Sequence, residues 1–356
     1  MKVLLSVFLV LFLTSLEVNA NKSVILDDSS IRALFDEDFF WMTPEGADKY
    51  VMSAKNAGFN VLVPCVWHGN GATWKSNLAP YGKKWSKEFI HNVDPLKYLI
   101  KKAHQEGLQV HAWFTVTLRT DDIFGKQYDE SIPKMFNIHD KKFGDYITQI
   151  ISDVVEGYDV DGINLDYIRS KEVCDSFYCQ LSYKKNTGHE LKRDLLTHHI
   201  SKVARTRIVK WQTDAVTNIV RNISTKVKSI RPGIILSVDT LVNDVKWQEL
   251  GAYSSAWLNE GIIDYIFHMD YKNELFLKHI NKAKKVLINP ERMLILVANY
   301  DFDSEKVPRI RPVNNVRKVM LEAKNNWPKA RGIGLYEYRF INDQQVNMIR
   351  EDVFSR

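Results

Sequence analysis

"FGDYITQIISDVVEGY" (143–158) is followed almost at once by "VDGINLD" (160–166). The first segment places apolar residues every three to four positions, the spacing of a helix with one buried face. The second is short and mostly apolar. Strands buried on both faces read this way, and they belong to parallel sheets covered by helices. A helix running straight into such a strand is part of a repeating βα unit. Whether the chain repeats that unit decides the fold.

It does, in both directions. Upstream, "IRALF" (31–35), "NVLVPCVW" (60–67) and "LQVHAWFTV" (108–116) read as strands. Downstream, "GIILSVD" (233–239), "IIDYIFHMDY" (262–271), "MLILVAN" (293–299) and "GIGLYEY" (332–338) do the same. Helix signals lie between them. Thr43-Pro44-Glu45 is a capping hydroxyl followed by proline in the first turn. "DPLKYLIKKAHQEG" (94–107) has Asp94 as N-cap, Pro95 at the first helical position and Gly107 as terminator. A long helix over 200–230 stops at Arg231-Pro232. Eight strands, each followed by a helix, predict an α/β fold of one domain, a (β/α)₈ TIM barrel over residues 21–356. No Gly-rich phosphate turn follows any strand, which disfavours an open doubly wound sheet. The longest irregular stretches, 68–93, 117–140 and 167–195, all follow strands and so belong to the face where barrel sites form.

The first residues are a separate segment. Lys2, the apolar run 3–13 and Val18-Asn19-Ala20 have the order of a secretory signal peptide over 1–20. A retained anchor is the alternative, but the run is short for a membrane span. The expectation is a secreted, periplasmic or extracellular protein, with no membrane contact once the signal is removed. Cys174 and Cys179 flank "DSFY", and in an exported chain they are expected to form a disulfide, with two free thiols as the alternative. Cys65 lies in an apolar run and reads as a small buried residue. "NKS" at Asn21 and "NIS" at Asn222 are glycosylation sequons if the host glycosylates. The net charge of +6 is spread over lysine pairs, with no basic block interleaved with aromatics, so nucleic acid is not an expected partner.

In such a barrel the polar residues at the ends of strands are the first candidates for chemistry. Asn164 and Asp166 share one face of the fourth strand, and Ser237 and Asp239 share one face of the fifth. Asp161 has the opposite parity and reads as structural. A buried ionised carboxylate is costly unless paired or used. Asp166 and Asp239 are therefore candidates for the paired acids of a glycoside hydrolase. The structural alternative for Asp166 is an ion pair with Arg169 or a lysine, and for Asp239 a turn cap. Trp67, His68, His111, Trp113, Tyr271, Tyr300 and Glu337, with Asn164, are candidate substrate contacts, although each aromatic fits a core equally well. His68 and His111 could join Asp166 around a metal, but the spacing is not that of a metal site. The carboxylate chemistry itself needs no metal and no cofactor.

Three blocks carry a resemblance: "NVLVPCVWHGNGATWKSNLAPY", "DPLKYLIKKAHQEGLQVHAWF" and "YDVDGINLDYIR". They are similar to blocks of the bacterial glycoside hydrolase-like family ten, and "LDYIR" also resembles the sister family thirteen. The resemblance runs from residue 31 to 271 and more weakly through the eighth strand. It implies a barrel acting on glycosidic bonds, with Asp166 as catalytic carboxylate and Asp239 where the sister family places an acid. The fourth strand also resembles the chitinase signature, but Ile168 stands where that pattern needs glutamate. The chain departs from family ten at Cys65 and Trp67, where glutamine and arginine are usual, at Tyr167, where a second aspartate is usual, and at Met269, where glutamine is usual. In the sister pattern Met269 and Tyr271 face the site and Asp270 turns away. The function expected is hydrolysis of a polysaccharide or oligosaccharide, such as a cell-wall glycan or exopolysaccharide. A barrel that binds glycans without cleaving them is the alternative.

Overall fold

The computed structural model describes residues 30–120, 123–124, 128 and 131–355. The expected signal peptide and the Asn21 sequon lie outside the described residues. Asn222 is on the exposed side of a long helix.

The eight expected strands are all present. They are β1 (Ile31–Asp36), β2 (Val61–Trp67), β3 (Gln109–Thr115), β4 (Gly162–Asp166), β5 (Ile235–Thr240), β6 (Tyr265–Asp270), β7 (Met293–Ala298) and, after a small β8–β9 hairpin (Tyr300–Phe302 with Pro308–Ile310), β10 (Gly332–Tyr336). They close into a parallel barrel in the order β1-β10-β7-β6-β5-β4-β3-β2. The helices are α1 (Pro44–Ala57), α2 (Lys87–Val93), α3 (Pro95–Gln105), α4 (Lys141–Gly157), α5 (Phe177–Thr187), α6 (Leu191–Thr197), α7 (Lys202–Ile230), α8 (Val245–Glu249), α9 (Ser254–Asn259), α10 (Leu277–Lys284), α11 (Val313–Asn326) and α12 (Asp343–Met348). Their caps follow the sequence. Thr43 accepts from the Gly46 N–H ahead of α1, and Asp94 accepts from the Lys97 N–H ahead of α3. Gly107, just past α3, sits at φ +74°, a conformation that favours glycine.

Alternation along the strands divides the core in two. Ile31, Ala33, Phe35, Val61, Val63, Cys65, Trp113, Phe267, Leu294 and Leu296 pack inside the barrel. Residues of opposite parity, such as Leu34, Leu62, Val110, Ile163, Leu236 and Leu335, join the larger core against the helices. The period fails at one place. The β2–β3 register shifts between Cys65 and Trp67. A bulge of this kind changes which side of the strand the following residue meets.

The stretch 167–195 is not all irregular. It holds α5 and the start of α6. Cys174 and Cys179 form a disulfide there, and the side-chain amide of Asn137 donates to both sulfurs at 3.3 and 3.0 Å. Cys65 is a buried free thiol, as expected. The bridge closes so short a loop that replacing both cysteines with serine should cost only about 2 kcal/mol. Urea unfolding of the oxidised protein and the double serine variant checks this, and superimposable curves would contradict it. Among the described residues, no helix is long and apolar enough to cross a membrane.

Candidate active site

The carboxyl ends of the strands surround a cleft of about 620 Å³. Its wall includes Glu37 after β1, Trp113 on β3, Asp166 at the end of β4 and Tyr167 and Arg169 beyond it. Asp244 and Trp247 come from the segment after β5, Met269, Asp270 and Tyr271 from the end of β6, Tyr300 from β8, and Tyr336 from β10. The surface is rich in aromatic rings with a few acids, which suits a sugar: apolar ring faces stack while hydroxyls meet polar groups.

Asp166 is the last residue of β4 and is 7% exposed. Its Oδ1 accepts the Tyr167 N–H at 2.6 Å. Burial pushes its carboxyl up to about 7, and the charge of Glu37 adds to this, while the Tyr167 N–H, Arg169 and His68 oppose it. Among the described residues, no ion pair with Asp166 of the kind that would have made it structural forms. The Arg169 guanidinium lies 4.2 Å from the Trp247 ring centre and 5.4 Å from that of Tyr167. Tyr167 itself sits at φ +48°, unusual for a bulky residue and a sign of local strain. Thr117 holds the turn in place, its hydroxyl donating to the carbonyls of Tyr167 (2.5 Å) and Arg169 (2.9 Å).

Asp239 lies beneath this floor. It is 2% exposed and absent from the cleft wall. Asn164 donates from one amide group to Asp239 Oδ1 at 2.9 Å and to Ser237 Oγ at 3.0 Å, so the two polar pairs of β4 and β5 form one buried network. Burial, and then the Asp166 charge, push Asp239 well above the carboxylate range. Tyr271 is raised for the same reasons, burial first and then Asp239 and Asp166.

The other candidates divide. Trp113, Tyr271 and Tyr300 line the cleft. Met269 and Tyr271 pack on the barrel's inner side, as the sister pattern implied. Asp270 accepts the Phe276 N–H at 2.6 Å, although it also reaches the cleft wall. His68 meets the cleft through Glu37, with Nε2 2.8 Å from Glu37 Oε1. Three candidates fall elsewhere. Trp67, displaced by the bulge, packs fully buried with Trp74, Phe124 and Tyr146. His111 is deep in the barrel, paired in register with Gly162 at the start of β4 and 3.2 Å from Gln109 Oε1; burial lowers it to about 4. A Cβ at position 162 would come within 2.7 Å of that imidazole, so glycine is required there. Glu337 is 4% exposed and lies off the cleft wall; burial, with the nearby charges of Asp38, Glu37 and Asp36, pushes it up to about 9. Among the described residues no three His, Cys, Asp or Glu side chains converge to hold a metal ion.

Two features were missed. Glu37 follows the strand-end Asp36 in a run, "DEDFF", that reads as a polar loop. Arg311, after β9, is 1% exposed and reaches back to the site. It donates to the carbonyls of Ala298 (2.7 Å), Tyr271 (2.8 Å) and Tyr300 (2.9 Å) and to Asp301 Oδ1 (3.0 and 2.9 Å). No local pattern in the sequence marks such a long-range hub.

A closed parallel barrel with a strand-end acid set among aromatic rings has the architecture of the barrel glycoside hydrolases. The chain belongs to the family Glycosyl hydrolase-like 10, which it matches over residues 35–143 and 131–294. It is 23% identical over 249 residues to glycosyl hydrolase DigH of Escherichia coli (strain K12), covering 59% of this chain and 54% of DigH. It is 24% identical over 264 residues to glycosyl hydrolase YngK of Bacillus subtilis (strain 168), covering 61% and 47%. The chain thus spans about half the length of the curated relatives it matches. In fold it resembles the PgaB (BpsB) glycoside hydrolase domain from Bordetella bronchiseptica, with TM-score 0.67, 11% identity, and coverage of 91% of this chain and 98% of that one. A β-galactosidase from Rahnella sp. R3 is similar at TM-score 0.63 and 12% identity, with 91% and 55% covered.

Proposed function

We propose that this protein is a secreted glycoside hydrolase that cleaves glycosidic bonds of a polysaccharide, with Asp166 as its general acid. The observation that carries this reading is the placement of Asp166, at a strand end, 7% exposed and at the floor of an aromatic-lined cleft, where burial pushes its carboxyl up to about 7. An acid that holds its proton near neutral pH can give it to a leaving glycosidic oxygen. The carboxylate left behind then faces the positive charge that develops on the sugar ring. Asp239, the second strand-end acid, lies beneath this floor. Buried and held by Asn164, it shares the electrostatics of Asp166 without touching the sugar.

Release of reducing ends from a panel of amino-sugar and neutral polysaccharides tests this reading. Cleavage of at least one supports it. Binding without cleavage across the panel would instead favour the glycan-binding barrel. The chemistry runs on carboxyl groups, so activity should survive prolonged treatment with EDTA. Loss on chelation with recovery on added zinc would contradict the acid mechanism.

A further inference from the structure

Acid-catalysed cleavage needs a second group to activate the incoming water, and Asp239 is closed off beneath the floor. We infer that Glu37, at the end of β1, is that second catalytic carboxylate. This rests on the glycosidase reading of the cleft and deepens it.

Among the described residues, four carboxylates reach the cleft wall: Glu37, Asp166, Asp244 and Asp270. Two of them are committed to loop structure. Asp244 caps α8 by accepting the Trp247 N–H at 3.0 Å, and Asp270 accepts the Phe276 N–H. Glu37 is different. Both of its oxygens are held by side chains from neighbouring strand ends: His68 Nε2 at Oε1, and the Tyr336 hydroxyl donating to Oε2. Its side chain is still 29% exposed, open to the cleft. Tyr336 is stacked on Tyr271, with ring centres 5.1 Å apart, so the Glu37 carboxylate is fixed against the wall that a sugar ring would meet. Glu37 is also close enough to Asp166 for its charge to act on that acid. A carboxylate held at both oxygens yet open to solvent is poorly explained as a stability element, since exposed ion pairs contribute little. It is well explained as a base held in register.

The bond from the anomeric carbon to the glycosidic oxygen breaks, and Asp166 gives its proton to that oxygen. A water oxygen bonds to the anomeric carbon as Glu37 takes one of its protons. One water is consumed. Asp166 ends ionised and Glu37 protonated, and exchange with solvent restores both.

Three variants test this, Glu37→Gln, Glu37→Gly and Asp239→Gly, each assayed on the panel polysaccharide that the wild type cleaves fastest. Both Glu37 variants should lose about a hundredfold or more in kcat while keeping the wild-type melting temperature. Sodium azide or sodium formate should restore turnover to Glu37→Gly, because a small anion fits the vacated space and acts in the base's place. Asp239→Gly should show no anion response. Near-normal turnover by Glu37→Gln would overturn the inference. So would an inactive Glu37→Gly with a lowered melting temperature and no anion rescue, the behaviour of a structural brace. A wild type that cleaves nothing on the panel overturns the glycosidase reading itself, and this inference with it. An active wild type with active Glu37 variants overturns only the inference.

Discussion

Asp166→Asn is expected to lower kcat/KM by about three orders of magnitude or more, a loss of at least roughly 4 kcal/mol of transition-state stabilisation. Asparagine keeps the shape of the side chain but removes both the transferable proton and the negative charge it leaves behind. The positive charge on the sugar develops only in the transition state, so its loss appears in kcat more than in KM. Stability should move the other way. The carboxyl of Asp166 lies at about 7 in the folded protein against 3.8 for the ordinary group. A raised value means that the folded state binds the proton more tightly than the unfolded chain. Stability from this group is therefore full below about pH 4 and is lost as pH rises through 7. Asparagine does not ionise, so the variant should melt at or above the wild-type temperature at pH 8, with the advantage shrinking towards pH 4. Because Asp166 and Asp239 interact, the wild-type loss belongs to the pair and not to either residue alone. A variant that melts well below wild type with its turnover intact would make Asp166 a structural group.

Arg311→Met should be the most destabilising single change near the cleft. Methionine fills similar space, but it takes the cationic partner from Asp301, which keeps the Asn273 amide, and removes the donors to the carbonyls of Ala298, Tyr271 and Tyr300. Leaving a buried carbonyl without its donor costs about 1–3 kcal/mol, so losing the donors to three of them should cost about 3–5 kcal/mol in all. In a chain of this size that should lower Tm by roughly 10 °C. The carbonyls it holds belong to β7, to the turn after β6 and to the β8–β9 hairpin, so the change should also loosen Tyr271 and Tyr300 and raise KM. Differential scanning calorimetry of wild type and variant decides the first effect; coincident melting curves would contradict the hub role.

The barrel was legible because buried parallel strands and amphipathic helices carry their period in the local sequence. Thr43-Pro44 and Asp94-Pro95 mark helix starts that the structure places within a residue of expectation. The site was legible in part. Asp166, Asn164 and Asp239 follow from strand parity, and the structure sets Asp166 at the floor and joins Asn164 to Asp239 beneath it. Parity failed at Trp67 because the bulge after Cys65 moves it to the helix side of β2. It gave no depth for His111, which shares the inner face with Trp113 but lies two residues lower in the barrel. Glu37 lies just beyond β1 among polar residues, where no period applies. Its role depends on His68 and Tyr336, which only the closed barrel brings beside it. Arg311 works through carbonyls on three separate segments, and no sequence period reports a contact of that kind.

The most direct test of the account is hydrolysis in ¹⁸O-labelled water, with wild type and Asp166→Asn run side by side on the panel polysaccharides and the products read by mass spectrometry. New reducing ends carrying one heavy oxygen are expected from the wild type and almost none from the variant. Unlabelled or absent products from the wild type, or equal labelled products from both proteins, would contradict it.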